Sequence, residues 1–438
     1  MSIKKVRVLV VGCGNRGEAY TRALRHAKEY IEVCGLVEPN RVRREKMKKK
    51  CGEYFEIAED VVREYDDWPA ALEDGDCYDA VLVTVLDAMH REVAVAFADR
   101  GKHLLCEKPL ATNWDDCQAI YDAVKRNNVL LAIGHVLRYS PHNIQLKEML
   151  DQGVIGDIIN INHTEPVGWY HFAHSFVRGN WRREDETTFA LMAKSCHDLD
   201  LLLWFMGPEH LTRVSSFGSL AYFKTENKPA AASGATRCLD CPLKDSCGYS
   251  AKKIYYDDFV TGKSDWKIDT LTDIEDEPHV LSALREGPYG RCVFEADNDV
   301  CDNQVVSLEF GGRTATMTMI AFSREVCERK IQIYGTKGEI NTDSNTIRLV
   351  DFGTQRTTYI TPEVDAESHH GGGDRGLALA FAEAVRDVLI HGNSVTDAQA
   401  KYIRCTPEDT LASHRSVFLA EQARRAGTVV SASDPITF

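Results

Sequence analysis

The stretch VRVLVVGCGNRGEAYTRALR, residues 6–25, decides the fold of this chain. Its first six residues are almost continuously apolar, which predicts a strand buried on both faces of a parallel sheet. Gly12, Gly14 and Gly17 follow directly, and residues 18–25 predict a helix. The first glycine allows a tight turn, the second lets the backbone approach a pyrophosphate, and the third lets the helix pack against the strand. Strand, glycine turn and helix in this order therefore predict a dinucleotide-binding unit.

Strands and helices alternate over the first third of the chain. The pattern predicts strands at 31–37, 78–84, 103–106 and 129–134, and helices at 90–100 and 115–126. This alternation predicts a doubly wound parallel sheet, in which ligands bind beyond the carboxyl ends of the strands. The glycine turn and these strand ends supply the expected cofactor ligands, which are Gly12, Cys13, Gly14, Asn15, Arg16, Gly17, Glu38, Arg41, Thr84, His90, Glu107 and Lys108.

The choice of cofactor depends on Glu38, which ends the second strand and lies 21 residues after Gly17. An acidic side chain near this spacing accepts hydrogen bonds from both ribose hydroxyls and repels a 2′-phosphate, which favours NAD over NADP. Arg41, Arg43 and Arg44 follow, and an arginine there can hold a 2′-phosphate. The same basic run is also typical of a solvated helix face. We expect NAD, with NADP as the less favoured alternative.

The composition limits the classes of function. The 438 residues suffice for two domains, and 52 Lys and Arg against 66 Asp and Glu give a formal net charge of −14. Such a chain repels phosphate backbones, so nucleic acid is not an expected partner. No apolar run reaches the roughly 18–20 residues that span a bilayer, and the short N-terminal one runs directly into glycines, so no membrane partner is expected. We expect a cytoplasmic protein, where the fourteen cysteines are unusual because a reducing compartment rarely uses disulfides.

Several motifs point to one family. They are GCGNRG (12–17), TVLDAMH (84–90), GKHLLCEKPLAT (101–112), GHVLRYSP (134–141), GVIGDI (153–158), CHDLDLLLWFMG (196–207), IYGTKGEI (333–340) and AEQARRAG (420–427). With them the chain resembles, over nearly its whole length, the family of glucose–fructose oxidoreductase, inositol dehydrogenase and MocA (Gfo/Idh/MocA). The resemblance implies an α/β fold with an N-terminal Rossmann dinucleotide-binding domain at 1–135 and a C-terminal α/β domain at 136–438.

The resemblance further implies that the second domain has a large, mostly antiparallel sheet. This sheet would carry a small-molecule carbohydrate or cyclitol substrate and the interface of a homo-oligomer, a dimer or a tetramer. The residues agree independently, because 303–310, 314–320 and 330–334 alternate as strands do, without the repeated helices of the first half.

Two catalytic roles follow from the resemblance. In the family the lysine of the EKP motif contacts the reacting hydroxyl beside the nicotinamide, and a later histidine takes the hydroxyl proton; these roles map to Lys108 and His197. A buried lysine beside a proline-fixed turn is itself unusual, because burying an ammonium is costly unless it is partnered or its pKa shifts. An imidazole suits the second role because its pKa lies near the working pH.

One position departs from the family pattern. The aspartate that usually precedes the catalytic histidine by four residues is replaced by Ala193. Asp198 or Asp200 can orient the imidazole instead. Lys194 is a further candidate base if it points inward with Lys108, because two ammonium groups lower each other's pKa. A solvated surface lysine is the alternative for Lys194.

The expected substrate contacts are Lys108, His135, Arg138, Tyr139, Trp181, His197 and His370. His370 belongs to HHGGGD at 369–374, whose glycines suit a close approach to a ligand with several hydroxyls or, alternatively, a mobile surface loop. Trp169, Tyr170 and His171 precede Trp181, and this aromatic stretch can stack on a sugar ring or fill the core.

Three cysteines lie close together in RCLDCPLKDSC, residues 237–247. Cys238, Cys241 and Cys247, with Cys292 or less favourably Cys301 as a fourth ligand, suit tetrahedral thiolate coordination within an insertion at about 225–292. Soft thiolates select zinc or an iron–sulfur cluster, and metal-free buried thiols are the alternative. A closed four-thiolate site has no open position for chemistry, so any metal there would be structural.

The sequence therefore predicts an NAD(P)-dependent oxidoreductase that transfers a hydride from a secondary hydroxyl of a sugar, glycoside or cyclic polyol to the nicotinamide. Two alternatives stay open. One is redox-neutral, NAD-dependent glycoside cleavage through a transient ketone, and the other is a non-catalytic sugar or dinucleotide sensor.

Overall fold

The computed structural model describes residues 5–263, 266–364 and 370–438 of the chain. The strands are β1 (Val6–Val11), β2 (Ile31–Val37), β3 (Arg63–Tyr65), β4 (Ala80–Val83), β5 (His103–Cys106), β6 (Leu131–Ile133), β7 (Ile158–Pro166), β8 (Arg213–Ser219), β9 (Asn303–Phe310), β10 (Arg313–Ile320), β11 (Lys330–Gly335), β12 (Gly338–Thr342), β13 (Ile347–Asp351), β14 (Thr357–Ile360) and β15 (Val430–Ser431).

The helices are α1 (Asn15–Leu24), α2 (Arg41–Phe55), α3 (Trp68–Glu73), α4 (His90–Asp99), α5 (Trp114–Asn127), α6 (Pro141–Asp151), α7 (Trp169–Phe172), α8 (Ala190–Ala193), α9 (Cys196–Met206), α10 (Asp258–Val260), α11 (Trp266–Leu271), α12 (Glu277–Glu286), α13 (Gly373–Leu389), α14 (Val395–Tyr402) and α15 (Pro407–Ala426). Two segments, Ala173–Arg178 and Lys252–Asp257, are π-helical. No described helix is both long and apolar enough to cross a membrane.

The first sheet has the order β3-β2-β1-β4-β5-β6, and its strands are parallel. β4, β5 and β6 are wholly buried, as expected for strands covered on both faces. The order runs one way from β1 to β3 and the other way from β4 to β6, so the crevice beyond β1 and β4 is the expected ligand position. The predicted doubly wound sheet is confirmed, and β2 and β5 have the predicted bounds.

The second sheet has nine strands in the order β14-β13-β12-β11-β7-β10-β9-β8-β15. β8, β9 and β10 pair antiparallel in sequence, and so do β12, β13 and β14. In β9 the burial alternates residue by residue, which is the pattern of a sheet with one covered face. The prediction of a large, mostly antiparallel second sheet is confirmed.

The described chain forms two compact units. The first comprises the residues up to Asn160 together with Cys196–Leu211 and Ile333–Phe418. The second comprises Ile161–Ser195, Thr212–Gln332 and Leu419–Phe438. The chain therefore passes between the units several times, and a single domain boundary at residue 135 stays a prediction.

Within the first unit, α13 completes the core of the parallel sheet. Leu377 and Phe381 of α13 belong to the same cluster of buried side chains as Val10 and Leu36. This packing brings the beginning of α13 next to α1 and the glycine turn, and Asp374 lies at that point.

Candidate active site

The glycine turn after β1 has the geometry that a dinucleotide requires. Gly12 has a φ of +99°, and a Cβ added there would lie 2.5 Å from the carbonyl oxygen of Thr84. A Cβ added at Gly17 would lie 2.1 Å from the carbonyl oxygen of Gly12, whereas at Gly14 no atom lies within 4 Å. The turn is tight where the chain packs on itself and open where a pyrophosphate approaches the N-terminus of α1. These residues fit the predicted cofactor.

Glu38 lies directly after β2 with its carboxylate buried. The carboxylate accepts hydrogen bonds from the backbone N–H of Cys13 at 3.1 Å and of Asn40 at 3.0 Å. The guanidinium of Arg43 lies 3.8 Å from it. Two backbone donors thus fix Glu38 at the end of β2, and each carboxylate oxygen has a further lone pair for a ribose hydroxyl.

Two neighbouring arginines of α2, Arg41 and Arg44, pair with carboxylates other than Glu38. Arg41 has a side chain that is 80% exposed and pairs with Glu45 at 2.7 Å. Arg44 pairs with Glu64 and Asp66. The position of Arg41 gives no support to its predicted contact with the cofactor, because its guanidinium points to solvent along the helix surface.

Glu107, directly after β5, is the centre of a buried polar cluster. It accepts hydrogen bonds from Tyr20 Oη at 2.6 Å, Arg16 Nε at 2.7 Å and the backbone N–H of Lys108 at 2.9 Å. Burial alone would raise the pKa of Glu107, but the charges of Arg16 and Lys108 hold it below its ordinary value. Its contacts fix the backbone from which Lys108 projects, and the predicted contact of Glu107 with the cofactor stays a prediction.

The other edge of the Arg16 guanidinium binds Asp374. The two hydrogen bonds measure 2.9 and 3.1 Å, and the same carboxylate lies 3.0 Å from Nδ1 of His370. Arg16 was also predicted as a cofactor ligand, whereas its described contacts connect α1 with the start of α13. His369, the other histidine of the predicted loop, lies outside the described residues.

His90 occupies a fully buried position between two turns. Its Nδ1 lies 2.8 Å from the carbonyl oxygen of Pro109 and its Nε2 lies 3.1 Å from that of Val85. Burial opposes protonation, but Cys106 and the Pro109 carbonyl raise the pKa of His90 to about 10. A protonated ring satisfies both carbonyl oxygens, so His90 holds together the turns after β4 and β5.

Lys108 lies near the beginning of α9. Burial raises the pKa of the Cys196 thiol to about 12, and the positive charge of Lys108 opposes this rise. Because Cys196 begins α9 and His197 is its second residue, the two predicted catalytic side chains belong to one neighbourhood of the first unit. His197 is buried and Lys108 is partly exposed.

Four histidines, which we call the histidine row, follow one another through this neighbourhood. The ring centroids of His414 and His135 lie 5.3 Å apart, those of His135 and His197 5.8 Å, and those of His197 and His370 6.5 Å. His414 and His135 are fully buried, and His370 is exposed. The row therefore runs from the interior to the surface, with His197 next to the exposed end.

The two inner rings of the row, His414 and His135, differ in their hydrogen-bond partners. His414 Nδ1 donates to the carbonyl oxygen of Thr410 at 2.9 Å and its Nε2 accepts from the N–H of Leu110 at 2.8 Å, while burial lowers its pKa to about 3. His414 is therefore neutral. His135 Nδ1 lies 3.2 Å from Asp200 Oδ1, and among the described residues its buried Nε2 has no hydrogen-bond partner.

Asp200 anchors the row through a pair with Arg138. Both carboxylate oxygens accept from the guanidinium at 2.8 Å, and Arg138 and His135 hold the pKa of Asp200 well below its usual range although burial alone would raise it. The donor atoms of His135, Asp200 and Cys405 lie within 4.8 Å of one another. Since the guanidinium already covers both oxygens, a metal cation here would meet a positive charge, so we do not interpret this trio as a metal site.

Arg138 and Tyr139 were predicted to contact substrate, but both side chains are buried against protein groups. Arg138 donates to the carbonyl oxygen of Arg404 at 2.9 Å in addition to its pair with Asp200. Tyr139 Oη accepts from the N–H of Arg404 at 2.9 Å. Their contacts favour a positioning role beneath the histidine row.

Lys194 and Trp181 belong to the second unit. Lys194 Nζ lies 2.9 Å from Cys327 Sγ and 3.4 Å from Glu165 Oε1. Burial alone would lower the pKa of Lys194, but Cys327 and Glu165 raise it. The lowered pKa expected for a base is therefore not found, and the contacts favour a permanent ammonium. Trp181 is partly buried and packs on Phe176.

The four predicted metal ligands also belong to the second unit. Cys238, Cys241, Cys247 and Cys292 line one cavity, and Cys301 does not. All fourteen cysteines of the chain are unpaired by disulfides.

Sequence reasoning missed two members of this neighbourhood. It assigned no role to His414 and did not connect Asp374 with Arg16. Both lie far along the chain from their partners, and only the glycines before Asp374 signal a helix start.

Family models match both parts of the chain. Residues 6–135 match the model described as the oxidoreductase family, NAD-binding Rossmann fold. Residues 147–399 match the model described as the oxidoreductase family, C-terminal alpha/beta domain.

Individual proteins are similar over different lengths. YteT of Bacillus subtilis is 25% identical over 386 residues, which cover 83% of this chain and 86% of YteT. Levoglucosan dehydrogenase of Pseudarthrobacter phenanthrenivorans is 29% identical over 32% of this chain and 36% of its own length. The 2,7-anhydro-N-acetylneuraminate hydratase of Escherichia coli is 29% identical over 35% and 40%, respectively. A solved levoglucosan dehydrogenase in complex with NADH and levoglucosan shows the same fold, with a TM-score of 0.69, 17% identity, and coverage of 98% of this chain and 100% of that one.

Proposed function

Because the chain belongs to the oxidoreductase family of glucose–fructose oxidoreductase, inositol dehydrogenase and MocA, we propose that it oxidises a secondary hydroxyl of a sugar, glycoside or cyclic polyol. The histidine row carries the proposal, because it places His197 between the buried ring of His135 and the exposed ring of His370, in the unit that contains Lys108. The levoglucosan dehydrogenase among the similar proteins supports a carbohydrate as the substrate class.

NAD is the proposed cofactor. It supplies the hydride acceptor, C4 of the nicotinamide. The open face at Gly14 and the N-terminus of α1 hold its pyrophosphate, and the carboxylate of Glu38 accepts hydrogen bonds from its ribose hydroxyls. Thr84, whose hydroxyl donates to the carbonyl oxygen of Gly12 at 2.7 Å, keeps the glycine turn in place.

Lys108 and His197 divide the chemistry at the substrate hydroxyl. The ammonium of Lys108 donates a hydrogen bond to the hydroxyl oxygen and stabilises the negative charge that develops there. An imidazole nitrogen of His197 accepts the hydroxyl proton as the C–H bond breaks. Glu107 fixes the backbone of Lys108 through its N–H, so the ammonium projects from a rigid turn.

The surroundings of His197 support its role as the base. On its inner side the buried ring of His135 is held by Asp200, which limits rotation of the row. On its outer side His370 is exposed and is held by Asp374. His370 is the member of the row that reaches solvent, so we assign to it the transfer to water of the proton that His197 accepts.

The test measures NADH formation, by its near-ultraviolet absorbance, with a panel of sugars, anhydrosugars, glycosides and inositols. We expect wild-type protein to reduce NAD with at least one of them. Lys108→Met should lower kcat by roughly 10²-fold or more because a charged hydrogen bond to the transition state is lost, and Lys108→Arg should retain more activity. Full activity of Lys108→Met would contradict the mechanism.

A second candidate is redox-neutral conversion through a transient ketone. Ala193 in place of the usual aspartate and the similarity to a hydratase favour it. It predicts that NAD co-purifies with the protein and that product accumulates without NADH. Stoichiometric NADH release would exclude this candidate, and product formation without it would exclude simple dehydrogenation.

The preference for NAD over NADP rests on Glu38. We expect Glu38→Gln to shift the ratio of kcat/KM values toward NADP by about tenfold, because repulsion of the 2′-phosphate is removed. Glu53→Gln, an exposed carboxylate on the neighbouring helix, is the matched control and should leave the ratio unchanged. An unchanged ratio in Glu38→Gln would show that another group selects the cofactor.

We also propose a homo-oligomer. On the second sheet Phe217 of β8 lies opposite Val305 of β9, and the two side chains are 74% and 40% exposed. An exposed apolar pair on a sheet face suits contact with a second copy. Sedimentation velocity should show a dimer or larger species, and Phe217→Asp should shift it toward the monomer.

A further inference from the structure

The strongest unexplained feature lies in the second unit, at the cavity lined by Cys238, Cys241, Cys247 and Cys292, which we call the cysteine cavity. Nothing in the proposed reaction uses these thiols. Cys238, Cys241 and Cys292 are buried, and Cys247 is half-buried. The side chain of Ser250 lines the same cavity and has a buried hydroxyl that lacks a partner among the described residues.

The fold brings the four cysteines together from two distant segments. Arg237 and Arg291 form an antiparallel bridge, so Cys238 and Cys292, each one residue later, follow on adjacent backbones. The N–H of Cys241 donates to the carbonyl oxygen of Cys238 at 3.2 Å in a tight turn. The N–H of Cys247 donates to the carbonyl oxygen of Leu243 at 2.8 Å and closes a second turn. Their convergence follows from the backbone and does not depend on side-chain rotamers.

Arg178 provides the second, independent observation. It is only 1% exposed, and its guanidinium donates to the carbonyl oxygens of Arg291 and Tyr249 and to Cys238 Sγ at 3.5 Å. Its Nη1 has no hydrogen-bond partner, and no carboxylate pairs with it in the part of the chain that the structure describes. A buried guanidinium without a counter-charge is costly, so a negative charge near the cysteines would stabilise Arg178.

The orientations of the sulfur atoms show what binding must change. As a thiol, Cys238 donates to the carbonyl oxygen of Arg291 at 3.6 Å, whereas Cys241 Sγ accepts from the N–H of Leu243 at 3.4 Å. No three of the four sulfur atoms lie within 4.8 Å of one another. Deprotonation removes the donor of Cys238, so metal binding must break its contact with Arg291 and change the side-chain torsions of the cysteines.

We propose that Cys238, Cys241, Cys247 and Cys292 bind one zinc ion as a tetrathiolate and that Arg178 is its charge partner. Four thiols release four protons when they bind Zn²⁺, so the site has a net charge of two minus. The guanidinium of Arg178 offsets part of this charge through its hydrogen bond to Cys238. The metal would hold together an insertion whose own buried core is small.

Metal analysis of the full chain, purified in reducing buffers without added metal, tests the site. We expect about one zinc per chain in wild-type protein and less than about a tenth in the double variant Cys241→Ser/Cys247→Ser. Cys301→Ser, a buried cysteine outside the cavity, is the matched control and should keep the full zinc content. Less than about half an equivalent of zinc, or iron together with acid-labile sulfide, would overturn the proposal.

Two further measurements hold even if the cysteine variants fold poorly. Wild-type chain produced with cobalt in place of zinc should show the visible bands and the sulfur-to-metal charge transfer of a tetrathiolate; bands of an oxygen-ligated ion would refute it. Arg178→Met should release zinc to a competing chelator about 10-fold more readily than wild type, and Arg178→Lys should restore most of the affinity. Equal release from Arg178→Met and wild type would remove Arg178 from the site.

Discussion

Arg138 in the first unit and Arg178 in the second are both almost completely buried, but their neighbours differ. Arg138 forms two hydrogen bonds of 2.8 Å with the carboxylate of Asp200. Arg178 contacts two carbonyl oxygens and the sulfur of Cys238. The chain itself supplies the counter-charge in one region, and in the other the proposed zinc tetrathiolate would supply it.

This difference indicates what each region is for. With Arg138 and Asp200 paired, the histidine row is positioned before any ligand arrives, as a base in a preorganised site must be. For Arg178 no carboxylate partner lies among the described residues, and under our proposal the bound metal site completes this region, as in domains whose folding depends on a metal. The groups around a buried arginine are therefore informative in both regions. A carboxylate partner, as at Arg138, indicates a site that the chain completes by itself. The lack of one among the described residues, as at Arg178, is the basis for proposing a bound group.

The largest expected effect tests whether the paired region carries the reaction. His197→Gln should lower kcat by roughly 10²–10⁴-fold, because an amide cannot accept the hydroxyl proton. NAD binding, measured by calorimetry, should remain. His391→Gln, an exposed histidine that pairs with Asp387, is the control and should keep wild-type activity. A His197→Gln variant within tenfold of wild type would assign proton transfer to another group.

The second-largest expected effect comes from removing the buried counter-charge of Arg138, so that its surroundings resemble those of Arg178. Asp200→Asn removes the buried negative charge and leaves the guanidinium with a single, partly exposed carboxylate nearby, so the free energy of unfolding should fall by about 3–5 kcal/mol. Asp409 lies 3.4 Å from the same guanidinium but is 30% exposed, and Asp409→Asn should cost less than about 1 kcal/mol. Urea unfolding at neutral pH measures the free energy of unfolding of both variants. Equal decreases in the two variants would show that the buried pair of Arg138 with Asp200 stabilises the protein no more than the exposed contact with Asp409.

Local patterns in the sequence predict the elements of the fold well and their long-range contacts poorly. The glycine turn and strands β2, β5 and β9 have their predicted positions, because apolar runs and turn residues are short-range signals. β3 was missed because it is only three residues long and is largely exposed. The packing of α13 against β1 joins residues more than 350 positions apart, and no local pattern records it.

The same distinction applies to the candidate site. Lys108 and His197 were identified because each belongs to a recognisable motif. Arg138 was expected to contact the substrate, as the family resemblance implies, and only the structure shows that Asp200 occupies its guanidinium. Arg178 belongs to no recognisable motif, so its burial beside Cys238 could not be predicted from the sequence.

The smallest expected effect concerns a third arginine, Arg16. Like Arg138, it pairs with carboxylates of the chain itself, those of Glu107 and Asp374. Burial alone would raise the pKa of Asp374, but Arg16 and His370 hold it well below its usual range. A depressed carboxylate pKa stabilises the fold above the ordinary value of about 4 and loses this contribution as pH falls below it. At neutral pH Asp374→Asn should therefore be less stable than wild type, by about 1–3 kcal/mol, and the difference should shrink as pH falls below about 4.

Asp151→Asn, which removes an exposed pair with Lys147, is the control and should show no pH-dependent difference. Urea unfolding over an acid pH series measures these differences. A gap between Asp374→Asn and wild type that stayed constant to the lowest pH would mean that packing, and not the charge on Asp374, stabilises the start of α13.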